Sequence, residues 1–84
     1  MRAVFVMLKV EPGFVHDVAG QVAELDSYSE AYSISGQYDL LVKLYIETLD
    51  DLDRLVTEDI HRIRHIRETF TILTFGAFPS PADR

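Results

Sequence analysis

Ser35-Gly36-Gln37-Tyr38-Asp39-Leu40-Leu41-Val42-Lys43-Leu44-Tyr45-Ile46 is the stretch that decides the fold. Glycine tolerates positive φ, so Gly36-Gln37 predicts a tight hairpin reversal. Residues 38–46 then read as a strand whose two alternating sets are both largely apolar, the pattern of a strand buried on both faces. On the other side of the turn, residues 28–35 alternate large and small. Tyr28, Glu30, Tyr32 and Ile34 form one set, and Ser29, Ala31, Ser33 and Ser35 the other. That is a weaker strand, expected at a sheet edge.

Working outward, residues 3–10 repeat the doubly apolar pattern. Val4, Val6, Leu8 and Val10 fall on one face and Ala3, Phe5 and Met7 on the other, before Glu11-Pro12-Gly13 breaks the run. Residues 14–25 carry Val15, Val18, Val22 and Leu25 at helical spacing. A second helix is predicted after Thr48, a good N-cap, with Asp50 and Asp51 in the first turn where they complement the helix dipole. Its apolar stripe is Leu49, Leu52, Leu55, Val56 and Ile60, and its end is rich in cations: His61, Arg62, Arg64 and His65. Residues 67–75, rich in Thr and Phe, form the last strand.

The element order is β-α-β-β-α-β. This is an α+β, ferredoxin-like βαββαβ arrangement with a four-stranded antiparallel sheet, in which strands one and three are central. Two helices cover one sheet face. The apolar second face then needs a cover, and a second copy packed sheet to sheet is the economical one. One domain, for ligand binding and oligomerisation, is expected over residues 1–76. Residues 77–84, with Pro79 and Pro81, form a tail outside the pattern that is either flexible or strapped onto a neighbour.

Composition narrows the function classes. The 84 residues make one domain, and a core this small gains from oligomerisation. With no cysteine, disulfides and thiolate metal sites are excluded. The net charge is −6, from 8 Lys and Arg against 14 Asp and Glu, which argues against direct nucleic-acid binding because that rests on neutralising phosphates. The apolar run Ala3 to Leu8 is too short for a membrane span or a signal-peptide core, so no membrane association is expected and the default location is the cytoplasm.

Tyr32-Ser33-Ile34-Ser35-Gly36-Gln37-Tyr38-Asp39-Leu40-Leu41-Val42-Lys43 resembles the Gly-x-Tyr-Asp turn and following strand of the effector-binding (RAM) domain of the leucine-responsive regulator/AsnC family. Thr69-Phe70-Thr71-Ile72-Leu73 resembles the Thr-x-Thr opening of that family's last strand, and the helix beginning Leu49-Asp50-Asp51-Leu52 fits between them. The resemblance covers residues 3–75. It implies a dimeric α/β barrel in which two sheets face each other, with dimers joined into rings of four or five, an octamer or a decamer. It also implies a small-molecule effector, an amino acid or similar, held between subunits near the turn and the Thr-x-Thr strand. Full regulators of the family carry a helix-turn-helix before this domain. The first strand here begins at residue 3, so the expectation is a sensor without its own DNA reader, able to mix with full-length regulators through the same face.

The expected ligand-binding residues are Ser35, Gly36, Gln37, Tyr38, Asp39, Thr69 and Thr71. Backbone N–H groups of the turn suit a carboxylate, Asp39 suits an ammonium, and the two threonines share one strand face and offer hydroxyls. Each also has an ordinary structural role: Gly36 in hairpin geometry, Asp39 as an acceptor in its own turn, the threonines as strand formers. No cofactor, metal site or catalytic residue is expected. His61 and His65 have the i, i+4 spacing of two metal ligands but no third partner, and solvated histidines are the better account. The competing functions are a small dimeric α+β-barrel enzyme of monooxygenase or isomerase type, for which the sequence offers no acid–base pair at a convincing spacing, and a ligand-free assembly module.

Overall fold

The computed structural model describes residues 1–81. Its elements are β1 (Arg2–Val10), α1 (Val15–Val22), β2 (Tyr28–Ser33), β3 (Leu40–Ile46), α2 (Leu49–Arg54) and β4 (Ile66–Leu73). The four strands form one antiparallel sheet in the order β2-β3-β1-β4, so the two strands with the longest apolar runs are central, and β2 and β4 are edges. This is the ferredoxin-like α+β fold. The last three residues of the expected tail lie outside the described residues.

Strand alternation divides the sheet into two faces. Val4, Val6, Leu8 and Val10 of β1 and Leu40, Val42, Leu44 and Ile46 of β3 point to the helices and are buried. They pack with Val18 and Val22 of α1 and with Leu55, Ile60 and Ile63 to form the core. The opposite face holds Phe5, Met7, Leu41, Lys43 and Tyr45, each half-buried by its neighbours and none covered by a helix of the described residues.

Three local departures from the expected pattern have physical causes. The first helix ends at Val22, not at residue 25. Its last turn tightens into i→i−3 bonds, Glu24 N–H to Gln21 O at 3.2 Å and Leu25 N–H to Val22 O at 3.0 Å, and Leu25 still reaches the core. The second helix is α-helical only through Arg54. Leu55–Asp59 then widen into a π turn, closed by Ile60 N–H on Leu55 O at 2.8 Å. Residues five apart diverge on an α-helix, and the wider turn lets both Leu55 and Ile60 enter the core. In β2, the register slips between Tyr28 and Glu30: Tyr28 lies opposite Leu44, but Glu30 lies opposite Lys43. This bulge sends Tyr28 to the helix side, where it packs on the core, while Glu30 and Tyr32 face the open side. Simple alternation places all three on one face.

The N-cap of α2 is as expected. Thr48 Oγ1 accepts the Asp51 N–H at 3.2 Å, and Asp51 Oδ2 accepts the Thr48 N–H at 3.1 Å, a reciprocal capping box. The Asp51 carboxylate is held below the ordinary aspartate range, chiefly by the Thr48 N–H and also by the Glu47 N–H.

Candidate functional site

The β2–β3 turn spans Ser35 to Tyr38 and is closed by Ile34 N–H on Asp39 O at 3.0 Å, so the reversal is wider than a two-residue Gly-Gln hairpin. Gly36 has φ 108°, a conformation open to glycine and strained for side-chain-bearing residues. The turn is anchored to the end of β1 by three contacts. Asp39 N–H donates to Leu8 O at 2.8 Å, Asp39 Oδ2 accepts the Val10 N–H at 2.8 Å, and Lys9 Nζ donates to Gln37 O at 3.1 Å. One Asp39 oxygen is thus committed to the backbone of a neighbouring strand.

Thr69 lies opposite Leu8, and Thr71 opposite Val6, on the other side of β1. Because Leu8 and Val6 face the helices, so do both threonines. Thr69 borders a surface cleft of about 240 Å³ with Val56, Ile60, His61, Ile63, Ile66, Arg67 and Glu68, a lining that includes none of residues 35–39. Tyr38 goes the other way: its ring lies 6.1 Å from that of Phe70, which is opposite Met7 and therefore on the open face. Asp39 and Thr69 both meet Leu8 near the end of β1, from opposite sides of that strand, and Thr71 lies two residues further in, opposite Val6. Within one chain the seven expected site residues do not line one pocket, because the sheet itself separates Thr69 and Thr71 from Tyr38.

The same end of the sheet holds a pair that sequence reasoning missed. His65 Nδ1 lies 2.8 Å from Glu11 Oε2, and Glu11 N–H donates to His65 O at 2.9 Å. The His65 ring is stacked on Phe14 with centroids 3.6 Å apart. His65 has φ 74°, so it sits in a left-handed turn, not on a helix face beside His61. The partners are 54 positions apart in sequence, and no local spacing signals the contact; only the β1–β4 pairing brings them together. A bulge in that pairing, where Val10 meets Ile66 and Lys9 meets Glu68 with Arg67 between, sits directly beside the pair. Among the described residues there is no cluster of three or more His, Asp or Glu arranged to hold a metal ion.

The open face carries a polar centre. Lys43 Nζ lies 3.8 Å from Glu30 Oε1, 5.2 Å from the centroid of the Tyr45 ring and 6.0 Å from that of Phe5. Tyr32 donates its hydroxyl to the other Glu30 oxygen. The Tyr45 hydroxyl, with the charges nearby, keeps Lys43 protonated above the ordinary lysine range, and Glu30 raises the Tyr32 phenol. Around this centre lie Met7, Leu41 and the exposed Phe70 and Ile72, with no helix of the described residues over them. No helix among the described residues is long and apolar enough to cross a membrane.

The chain is 27% identical over 74 residues to an uncharacterised HTH-type transcriptional regulator of Pyrococcus horikoshii, a match that takes in 84% of this chain and 49% of that protein. It spans about half the length of the curated relatives it matches. The crystal structure of TTHA0845 from Thermus thermophilus superposes with a TM-score of 0.89 at 31% identity, over 95% of this chain and 100% of that one. A transcriptional regulator of Neisseria meningitidis, solved as an L-Met complex, shares the fold with a TM-score of 0.84 at 10% identity, over 94% of this chain and 53% of that one. The family model described as the Lrp/AsnC ligand binding domain matches residues 3–79, and with the fold and the turn in place this chain belongs to that family.

Proposed function

We propose that this chain is an amino-acid-sensing and oligomerisation domain related to transcriptional regulators, acting in the cytoplasm and without catalysis. The observation that carries the proposal is the anchored turn. The Ser35–Tyr38 turn is tied to the end of β1 through Asp39 and through Lys9 on Gln37 O, with Gly36 presenting backbone that a ligand can approach. The L-Met complex of the Neisseria regulator, on the same fold, supports an amino acid as the ligand class.

The open sheet face supports a homodimer. Phe5, Met7, Leu41, Phe70 and Ile72 form a contiguous apolar surface over which no helix of the described residues packs. A two-fold partner would bury it sheet on sheet, with the Lys43–Glu30 pair kept together as it loses water. Association of such dimers would bring a Ser35–Tyr38 turn of one chain beside Thr69 and Thr71 of another, which supplies in the assembly the single pocket that one chain lacks. Octameric or decameric rings and mixed assemblies with full-length regulators belong to the same reading.

A thermal-shift screen of the protein against the twenty amino acids tests the sensing role. A ligand that binds only the folded state raises the melting temperature as its concentration exceeds its Kd. A rise with one or a few amino acids, reduced in Gly36→Val, is the expected result. No rise with any of them removes the sensing role and favours the assembly module, a reading supported by the commitment of Asp39 to the Val10 N–H.

A further inference from the structure

After Leu73 the chain leaves the sheet at a fixed point. Thr74 is fastened to Ala3 O by both its N–H, at 3.4 Å, and its hydroxyl, at 2.6 Å. Beyond it, Phe75 is 87% exposed and Phe78 is 99% exposed. Two phenylalanines in near-complete contact with water on a single segment, beyond the apolar sheet face, ask for a partner surface. The segment begins beside a cleft of about 570 Å³ on the same end of the open face, walled by Phe5, Lys43 and Tyr45 on the sheet and by Thr74 to Ala77 on the tail side.

We infer that the segment from Phe75 to Pro81 is an exchange arm: Phe75 stays in the wall of its own cleft and Phe78 is seated in the open-face cleft of a second copy, each copy giving one arm and receiving one. This rests on the homodimer proposed above. Three arguments commit the cleft to this occupant. The first is chemistry: proline-containing segments dock in aromatic-lined grooves, and the arm carries Pro79 and Pro81 while the cleft presents Phe5 and Tyr45. Proline has no N–H, so the arm is ill suited to join the sheet as a further central strand and binds through side chains instead. The second is reach: residues 75–81 extend to roughly 20 Å, and packed sheets lie about 10 Å apart, so the arm spans the gap without unfolding β4. The third is symmetry: arm and cleft lie at the same end of the same face, and a two-fold axis turns such an adjacent pair into two identical, self-complementary contacts.

Because the chain has no cysteine, Ala77→Cys gives one clean attachment site for a spin label. Spin-labelled chains at natural isotope abundance are mixed with wild-type chains enriched in nitrogen-15, so that broadening reports only contacts between copies. Sedimentation of the same sample gives the oligomeric state. The expected result is a dimer in which the amide signals of Phe5, Lys43 and Tyr45 broaden, and in which the Phe75→Ala, Phe78→Ala double variant weakens dimerisation by about tenfold or more while its circular dichroism is unchanged. A dimer without broadening at those positions overturns the arm and leaves the homodimer standing. A monomer at all concentrations overturns both. A double variant that dimerises as tightly as wild type also overturns the arm, whatever small molecule the cleft then binds.

Discussion

The carboxylate of Asp39 accepts the backbone N–H of Val10 across 29 positions of sequence at 2.8 Å, and it thereby ties the β2–β3 turn to the exit of β1. Asp39→Ala leaves that N–H without its acceptor in a partly buried place and is expected to lower stability by about 1–2 kcal/mol in urea unfolding. Asp39→Asn keeps an acceptor oxygen and is expected to recover most of the loss. If Asn recovers stability yet lowers the thermal shift produced by an amino acid, the charge itself serves the ligand.

Ile60 lies five residues after Leu55, and the π turn between them brings both side chains into the core. Ile60→Ala is therefore expected to cost about 2–4 kcal/mol, the range for a buried large-to-small change. An exposed site would change stability by less than about 0.5 kcal/mol. Denaturant midpoints at constant slope distinguish the two.

Met7 lies at the middle of the open face, opposite Leu41 on one side and Phe70 on the other. Met7→Lys is expected to convert a dimer into a folded monomer in sedimentation, since a charge set against an apolar partner surface is costly to desolvate. Unchanged far-UV circular dichroism would show that the helix-side core is intact.

The Asp51 carboxyl has a folded-state pKa below its ordinary value because the Thr48 and Glu47 N–H groups bind the ionised form. Its contribution to stability is fully present above the ordinary aspartate pKa and is lost as pH falls through the lower, folded-state value. The melting-temperature difference between wild type and Asp51→Asn should shrink across that acid window. A difference independent of pH below neutrality would contradict the capping role.

His65 holds a left-handed backbone, stacks on Phe14 and bonds Glu11. His65→Gly loses the side-chain contacts but relaxes the backbone, whereas His65→Val loses the contacts and adds strain. Val is expected to be less stable than Gly by about 1–2 kcal/mol in thermal unfolding.

Much of the fold was legible because it depends on periodicities of two and 3.6. The doubly apolar runs at residues 3–10 and 38–46 marked β1 and β3 as central, and Thr48 with Asp51 marked the start of α2. The bulge at Ser29 and the π turn at Leu55–Asp59 were not legible, since each inserts one residue into a regular repeat to satisfy packing elsewhere.

By itself the sequence determined the element order, the central pair of strands, the uncovered second face and the turn that carries the family resemblance, because each follows from residue type and local spacing. Only the tertiary structure decided that Thr69 and Thr71 face the helices while Tyr38 faces the open side, that Asp39 is bound to Val10, and that Glu11 meets His65. Those relations depend on strand register, which is set by the simultaneous packing of all four strands against two helices, and no window along the chain contains that information.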